Sequence, residues 1–176
     1  MMKNIYLIVL AGMLVMTAAC NSNDGRQSER PSKATVNYQT ADSTLGDNGM
    51  VTVASNNSVD STFQNLVNAI EANEALSVMA QLNHQENAAG VDMDLRPTRV
   101  LMFGNPNLGT PLMQSGQTIG IDLPQKVLIY EDANGDVFLV YNDPFYLADR
   151  HDIEDQGDVL DTISNALQNL ANAATS

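Results

Sequence analysis

The stretch LRPTRVLMFGNPNLGTPLMQSGQTIGIDLPQK, residues 95–126, determines the fold that the rest of the chain can adopt. It contains four of the 11 glycines and four of the six prolines of the chain. All of these turn-forming residues except Pro97 lie between one apolar run, VLMF at residues 100–103, and another, VLIY at residues 127–130. The pattern predicts a buried strand, a long shaped loop over residues 104–122, and a second buried strand.

Three further strands are predicted on either side of this stretch. Residues 50–54 and 76–82 alternate between apolar and polar side chains, as half-buried strands do. Residues 137–141 follow the turn sequence DANGD and complete a hairpin with residues 127–130. The run at residues 100–103 is nearly all apolar, which is typical of a central strand.

Two amphipathic helices complete the predicted domain. Ser58 suits a helix N-cap, and apolar residues then recur at helical spacing as far as residue 73. A C-terminal helix is predicted with Asp158 and Asp161 in its first turn, where the helix dipole favours negative charge. Residues 84–94 are expected to form a loop. Because two such helices can cover one face of an antiparallel sheet, the sequence predicts a two-layer α+β domain of order β-α-β4-α.

The charge of the chain excludes one class of partner. The 176 residues carry 8 basic and 21 acidic side chains, a formal net charge of −13. Nucleic acids and anionic lipid head groups bind proteins through Lys and Arg. We therefore expect no nucleic-acid partner.

Residues 1–19 are predicted to be a lipoprotein signal peptide. Lys3 supplies positive charge, and the apolar run that follows is too short for an ordinary transmembrane helix. The segment resembles a bacterial lipoprotein signal, in which Cys20 becomes the acylated first residue and anchors the protein in the membrane. Asn21 implies sorting to the outer membrane of a Gram-negative cell. An ordinary secretory signal with an incidental cysteine is the alternative.

The segment after the signal differs in composition from the rest of the chain. Residues 20–48 are rich in Ser, Asn, Asp, Gln and Thr, and their few apolar residues have no period. Such a segment cannot bury enough surface to offset its chain entropy. The sequence therefore predicts a flexible tether that presents an α+β domain, residues 49–176, to the periplasm.

The motifs LRPT, FGNP, GTPLM and DLP-K, all within residues 95–126, resemble the bacterial family named domain of unknown function 302. The resemblance covers residues 50 to about 151. It implies a fold similar to the β-α-β4-α architecture of TATA-box-binding proteins, without implying DNA binding. The chain departs from the family pattern at Asn56, where many members have Lys, at Asn83, where they have Asp, and at Gln125, where Leu is frequent.

The loop at residues 104–122 is the predicted binding site for a small molecule or an envelope-protein partner. Arg96 and Lys126 flank it in a chain with few cations, and the resemblance implies that His84 is functional. We expect the neighbouring strands to bring these three side chains into one hollow that receives an acidic group. Arg96 and Lys126 could instead pair with Asp94 or Asp122, and of the two interpretations we favour this ion pairing. The predicted ligand-binding residues are His84, Arg96, Asn105, Thr110, Met113, Asp122 and Lys126.

Other chemistries fit the sequence less well. The run GNPNLG lacks the Lys and Ser/Thr of a phosphate loop, and Pro111 removes a backbone donor. His84 with Met113 would suit copper, and DANGD resembles a fragment of a calcium loop without its glutamate. No cofactor, metal ion or catalytic residue is predicted, although a pair between His151 and a carboxylate is left open. An enzyme that uses His84 as acid or base, and an inert structural envelope protein, are the alternatives to a binding protein.

Overall fold

The structure is a computed structural model that describes residues 43–176. Its strands are β1 (Ser43–Leu45), β2 (Met50–Ser55), β3 (Ser77–Asn83), β4 (Thr98–Gly104), β5 (Gln125–Glu131) and β6 (Val137–Asn142). Its helices are α1 (Val59–Glu71), α2 (His84–Ala89), α3 (Pro106–Ser115), α4 (Pro144–Arg150) and α5 (Gly157–Thr175), with a 3-10 helix at Gln117–Ile121. The strands form one antiparallel sheet in the order β1-β2-β6-β5-β4-β3.

The five predicted strands and the two long predicted helices are all present, so the α+β class and the β-α-β4-α order are confirmed. The DANGD hairpin forms as predicted. Asp132 accepts hydrogen bonds from the N–H groups of Asn134 (2.8 Å) and Asp136 (3.0 Å). Within residues 43–176, no helix combines the length and the apolar composition that crossing a membrane requires.

The folded part of the chain begins earlier than predicted. The predicted tether, residues 20–48, includes β1, which pairs with residues 51–53 of β2. Without β1, β2 would be an edge strand with a row of unpaired backbone groups. Three residues are too few to show a strand period, which is why the composition alone indicated a tether. Residues 1–42, which include the predicted signal peptide, Cys20 and most of the predicted tether, lie outside the described residues.

The core lies between one face of the sheet and the paired helices α1 and α5. Helix α1 begins where predicted, because the Ser58 hydroxyl accepts a hydrogen bond from the Ser61 N–H at 3.2 Å. Its apolar stripe includes Phe63, 2% exposed. Each such side chain contributes roughly 1.5–3 kcal/mol by burial. Arg99 closes one end of this core: its guanidinium lies 3.8 Å from the centre of the Phe63 ring and 2.8 Å from the Asp60 carboxylate.

Strand β3 contains a bulge that the alternating pattern does not reveal. The register shifts between Val78 and Ala80, so that Met79 is an extra residue in the strand. Val78 faces Phe103, and Leu82 faces Val100. Side chains alternate between the two faces of a strand, and one extra residue reverses this alternation. The apolar residues before and after the bulge therefore point to opposite faces, and the predicted single apolar face of β3 is wrong.

Two predicted loops are largely helical. Residues 104–122 form α3 and the 3-10 helix, and the Asn105 side chain caps α3 by accepting from the Asn107 N–H at 2.9 Å. Pro106 occupies the first helical position, where its missing N–H has no cost, whereas Pro111 lies inside the helix and removes one hydrogen bond. The predicted loop at residues 84–94 contains α2. That helix buries no side chain, so it leaves no apolar period in the sequence.

Candidate functional site

A cavity of about 310 Å³ lies where α3 and α5 meet the adjacent ends of β3 and β4. We call it the α3 cavity. Its lining includes Met79, Phe103, Gly109, Met113 and Leu167. The cavity therefore lies between the sheet and the segment that the sequence predicted to be a loop. The cavity lies beneath residues 104–122, where the sequence analysis places a binding site, and ligand binding there stays a prediction.

The floor of the α3 cavity is formed by neighbouring residues of β4 and β5. Phe103 and Gln125 are cross-strand partners, and they are 3% and 9% exposed. The bulge in β3 brings Met79 to the rim, where its terminal methyl group lies 3.4 Å from the Cβ position of Gly104. A side chain at Gly104 would press against Met79 and narrow the opening.

Polar groups are few in the lining. Asn105 uses its side-chain oxygen to cap α3. No residue in the range 43–176 forms a hydrogen bond with the Thr110 hydroxyl or the Gln125 amide. Although the chain has 8 basic and 21 acidic residues, none of them lines the cavity. The site is an apolar space with two uncharged polar groups that have no partner in the described part of the chain.

A more polar groove adjoins the cavity along α1 and α5. It shares Leu76 and Ala166 with the cavity lining. Its walls include Asn73, Asn165 and Asn169, and they too contain no charged side chain. A ligand longer than the cavity would extend over these amides.

The structure brings only part of the predicted site together. Asn105, Thr110 and Met113 line the α3 cavity, whereas His84, Arg96, Asp122 and Lys126 do not. The expected shared hollow of His84, Arg96 and Lys126 is therefore wrong.

The topology explains why His84 and Arg96 lie away from the cavity. In the antiparallel pair of β3 and β4, Ser77 faces Gly104 at the cavity end, and Asn83 faces Arg99 at the other end. His84 follows β3, and Arg96 precedes β4, so both lie at that other end. A seven-residue strand spans about 20 Å. For the same reason, a copper site formed by His84 and Met113 is wrong.

Lys126 follows a cavity-lining residue in the sequence but does not itself line the cavity. It follows Gln125 on β5, and successive side chains of a strand point to opposite faces. The Lys126 ammonium donates to the backbone carbonyls of Asp122 (2.8 Å) and Pro124 (3.2 Å). Lys126 therefore binds the backbone of the segment before β5, and the predicted pairing with the Asp122 carboxylate is wrong.

The Asp122 carboxylate pairs instead with His151, at 2.6 Å from Nε2. The other ring nitrogen of His151, Nδ1, lies 2.9 Å from the Thr118 hydroxyl, and Arg150 approaches Asp122 at 3.6 Å. The side chains of His151 and Asp122 are 7% and 15% exposed. This group, the Asp122–His151 cluster, joins the end of α4 to the 3-10 helix that borders the cavity. No spacing rule predicts it, because its two main residues are 29 positions apart.

The hydroxyl–imidazole–carboxylate order of this cluster is that of a nucleophilic triad. None of its side chains lines the α3 cavity, however. We interpret it as a structural connection. Within the described residues, no group of three or more His, Cys, Asp or Glu side chains is placed to hold a metal ion.

Two groups outside the cavity have shifted pKa values. A hydrogen bond from Ser115, the last residue of α3, holds the pKa of the Asp155 carboxyl below its usual range. Burial, together with the charge of Asp143, raises the pKa of the Tyr141 hydroxyl. The first contact links the last residue of α3 to the segment that precedes α5.

Comparison with known sequences gives matches that centre on the described domain. The sequence model of the family described as "Domain of unknown function DUF302" matches residues 51–170. A Brucella suis biovar 1 (strain 1330) protein named "Fluoride-specific ion channel FluC 1" is 41% identical over 113 residues, 64% of this chain and 44% of that protein. The protein of the same name from Brucella abortus biovar 1 (strain 9-941) gives the same identity over 42% of its length. The chain thus spans less than half the length of these relatives.

A solved structure has a similar fold. It is the crystal structure of an uncharacterized conserved DUF302 protein from Bacillus stearothermophilus, with a TM-score of 0.64 and 19% sequence identity. The likeness covers 72% of this chain and 98% of that chain. At this identity it concerns the fold alone, and it agrees with the α+β architecture described above.

Proposed function

Because the chain belongs to the DUF302 family, whose description names no activity, we propose a function from the cavity itself: the domain binds a small, largely apolar molecule in the α3 cavity. The single observation that carries this proposal is an uncharged, mostly apolar cavity of about 310 Å³ in a strongly charged chain. Small-molecule sites have volumes of roughly 300–1,000 Å³ and apolar linings with a few polar groups. The concave shape favours a small molecule over the surface of a protein partner.

The lining supports binding in preference to catalysis. It contains Asn105, Thr110 and Gln125 as its polar members, and no His, Asp, Glu, Lys, Tyr or Cys. Amides and hydroxyls of this kind are neither ionised nor protonated near neutral pH, so the cavity lining offers no general acid or base. Met79 and Met113 at its border have flexible side chains that adapt to ligands of different shape.

A cavity-filling substitution tests the proposal. Gly109 lies in α3, and a Cβ there would meet only the Leu123 side chain, at an ordinary contact distance of 3.6 Å. Gly109→Leu therefore adds an isobutyl group to the lining without a backbone clash. We expect it to weaken binding of the neutral fluorescent probe N-phenyl-1-naphthylamine at least tenfold, or about 1.4 kcal/mol.

Gly157→Leu is the matched control. It makes the same chemical change at a helical glycine that has open space around it and does not line the cavity. We expect its probe affinity to equal that of the unaltered chain. Fluoride, which the names of the Brucella relatives mention, serves as a negative control, because the lining provides no cation for a small anion. Equal probe binding by Gly109→Leu, or no binding by the unaltered chain, would contradict the proposal.

In the same proposal, acylated Cys20 holds the domain at the periplasmic side of the outer membrane. This rests on the sequence of residues 1–21, since those residues lie outside the described part of the chain. One acyl-modified terminus buries its hydrocarbon in the membrane, and each CH₂ contributes about 0.8 kcal/mol. We expect Cys20→Ser to move the protein from the membrane fraction to the soluble periplasmic fraction on cell fractionation. Retention of the variant in the membrane would refute the anchor.

A further inference from the structure

We infer that the molecule bound in the α3 cavity carries an uncharged hydrogen-bonding group, and that Gln125 is the residue that selects it. This inference rests on the proposed function, because it specifies the ligand of that same cavity. It would assign a specificity-determining role to a side chain that lies in the sheet and not in the long loop.

Gln125 is unusual among the residues of the buried face. It is 9% exposed, its cross-strand partner is the aromatic Phe103, and both line the cavity. Its neighbours on the same face of β5 are the apolar Val127 and Ile129. No residue in the range 43–176 hydrogen-bonds its amide. The fully buried side-chain polar atoms without a partner in residues 43–176 are Arg99 Nε and Ser164 Oγ, so the Gln125 amide is not sealed inside the core. At the wall of the cavity, that amide offers a ligand a donor and an acceptor.

The absence of charge in the lining defines the polar group of the ligand. Neither the cavity nor the adjoining groove of Asn73, Asn165 and Asn169 is lined by a charged side chain. A carboxylate or an ammonium group would lose its hydration there without gaining a counter-ion. A ketone, an alcohol or an amide loses much less and can pair with Gln125. The ligand class is therefore an apolar body with one neutral polar group.

Matched naphthalene derivatives test this assignment by displacement of N-phenyl-1-naphthylamine from the purified protein. Naphthalene, 2-acetylnaphthalene and 2-naphthoate differ only by a hydrogen, a ketone and a carboxylate. We expect the ketone to bind about fivefold or more tightly than naphthalene, and the carboxylate to bind most weakly. In Gln125→Leu and in the near-isosteric Gln125→Met, the preference for the ketone should disappear while naphthalene still binds.

The thermal melting temperature provides a second readout, because replacing a Gln125 side chain that stabilised the fold would lower it. Because Gln125 is 9% exposed on an otherwise apolar face and no described residue hydrogen-bonds its amide, Gln125→Leu or Gln125→Met should melt at a higher temperature than the unaltered chain. A variant that retains the ketone preference, or an unaltered chain that binds all three compounds equally, would overturn the inference and leave the proposed function intact. If neither naphthalene nor the fluorescent probe binds, both proposals fail. Two variants are included so that a folding defect in one does not prevent the test.

Discussion

Leu167→Ala is expected to lower the free energy of unfolding by about 2–5 kcal/mol. Leu167 lies in α5, is 2% exposed, and belongs both to the hydrophobic core and to the lining of the α3 cavity. The substitution removes buried apolar surface and enlarges an existing space that the helices cannot close. Urea unfolding followed by circular dichroism measures the loss.

The same variant connects stability with binding. A ligand that binds only the folded protein stabilises it by mass action, so saturating N-phenyl-1-naphthylamine should recover part of the lost stability. Leu82→Ala is the matched control, since Leu82 is 36% exposed and does not line the cavity. We expect the control to cost about 1 kcal/mol or less, because Leu82 lies outside the buried core and about a third of its surface already contacts water. A loss of similar size in the two variants would contradict the packing described here.

Asp122→Ala is expected to destabilise the protein by about 1–3 kcal/mol. The substitution leaves the nearly buried imidazole of His151 without the acceptor that lies 2.6 Å away, and it disconnects α4 from the 3-10 helix. Arg150 adds little to this effect, because its side chain is 58% exposed and the distance is 3.6 Å. Thermal and urea unfolding at neutral pH measure the change.

Two controls separate the Asp122–His151 cluster from the general effect of removing a carboxylate. Asp122→Asn retains an acceptor for His151 and should cost less than Asp122→Ala. Asp161→Ala removes an exposed carboxylate from α5 and should change stability by at most about 0.5 kcal/mol. If Asp122→Ala is no worse than Asp161→Ala, the cluster does not contribute to the fold.

The elements with a strong local pattern could be predicted from the sequence. Helix α1 has an N-cap at Ser58 and an apolar stripe, and the β5–β6 hairpin has the turn residues Asp132 to Asp136. Both signals lie within a few residues of the structure they specify. The two-layer α+β architecture followed from these elements, because two helices with one apolar face each can cover one face of an antiparallel sheet.

Helix α3 could not be predicted, because its local signals conflict. Pro106 and Asn105 favour a helix start, but Gly109 and Pro111 disfavour a helix interior. Packing against the 3-10 helix and α5 decides in favour of the helix. Strand β1 and the Met79 bulge likewise arise from pairing with other strands. A strand of three residues, or a single extra residue, is too short to produce a periodic pattern in the sequence.

Only part of the candidate site could be predicted, because the rest depends on contacts between residues that are distant in the sequence. The glycines and prolines of residues 104–122 located the cavity, and Asn105, Thr110 and Met113 line it. His84 and Arg96 were placed there by their nearness in sequence, yet antiparallel pairing puts them at the opposite end of β3 and β4. The contact between Asp122 and His151 joins residues 29 positions apart. Only the three-dimensional pairing of elements reveals contacts of that kind.

The most direct test of the binding site is methyl NMR of the methionine side chains during titration with a neutral apolar ligand. Met79 and Met113 line the α3 cavity, whereas Met93, which is 66% exposed, and Met102 on β4 do not. On addition of 2-acetylnaphthalene, the ε-methyl signals of Met79 and Met113 should shift together and saturate, while those of Met93 and Met102 stay in place. Unchanged signals at Met79 and Met113, or equal shifts at Met93 and Met102, would contradict a binding site in this cavity.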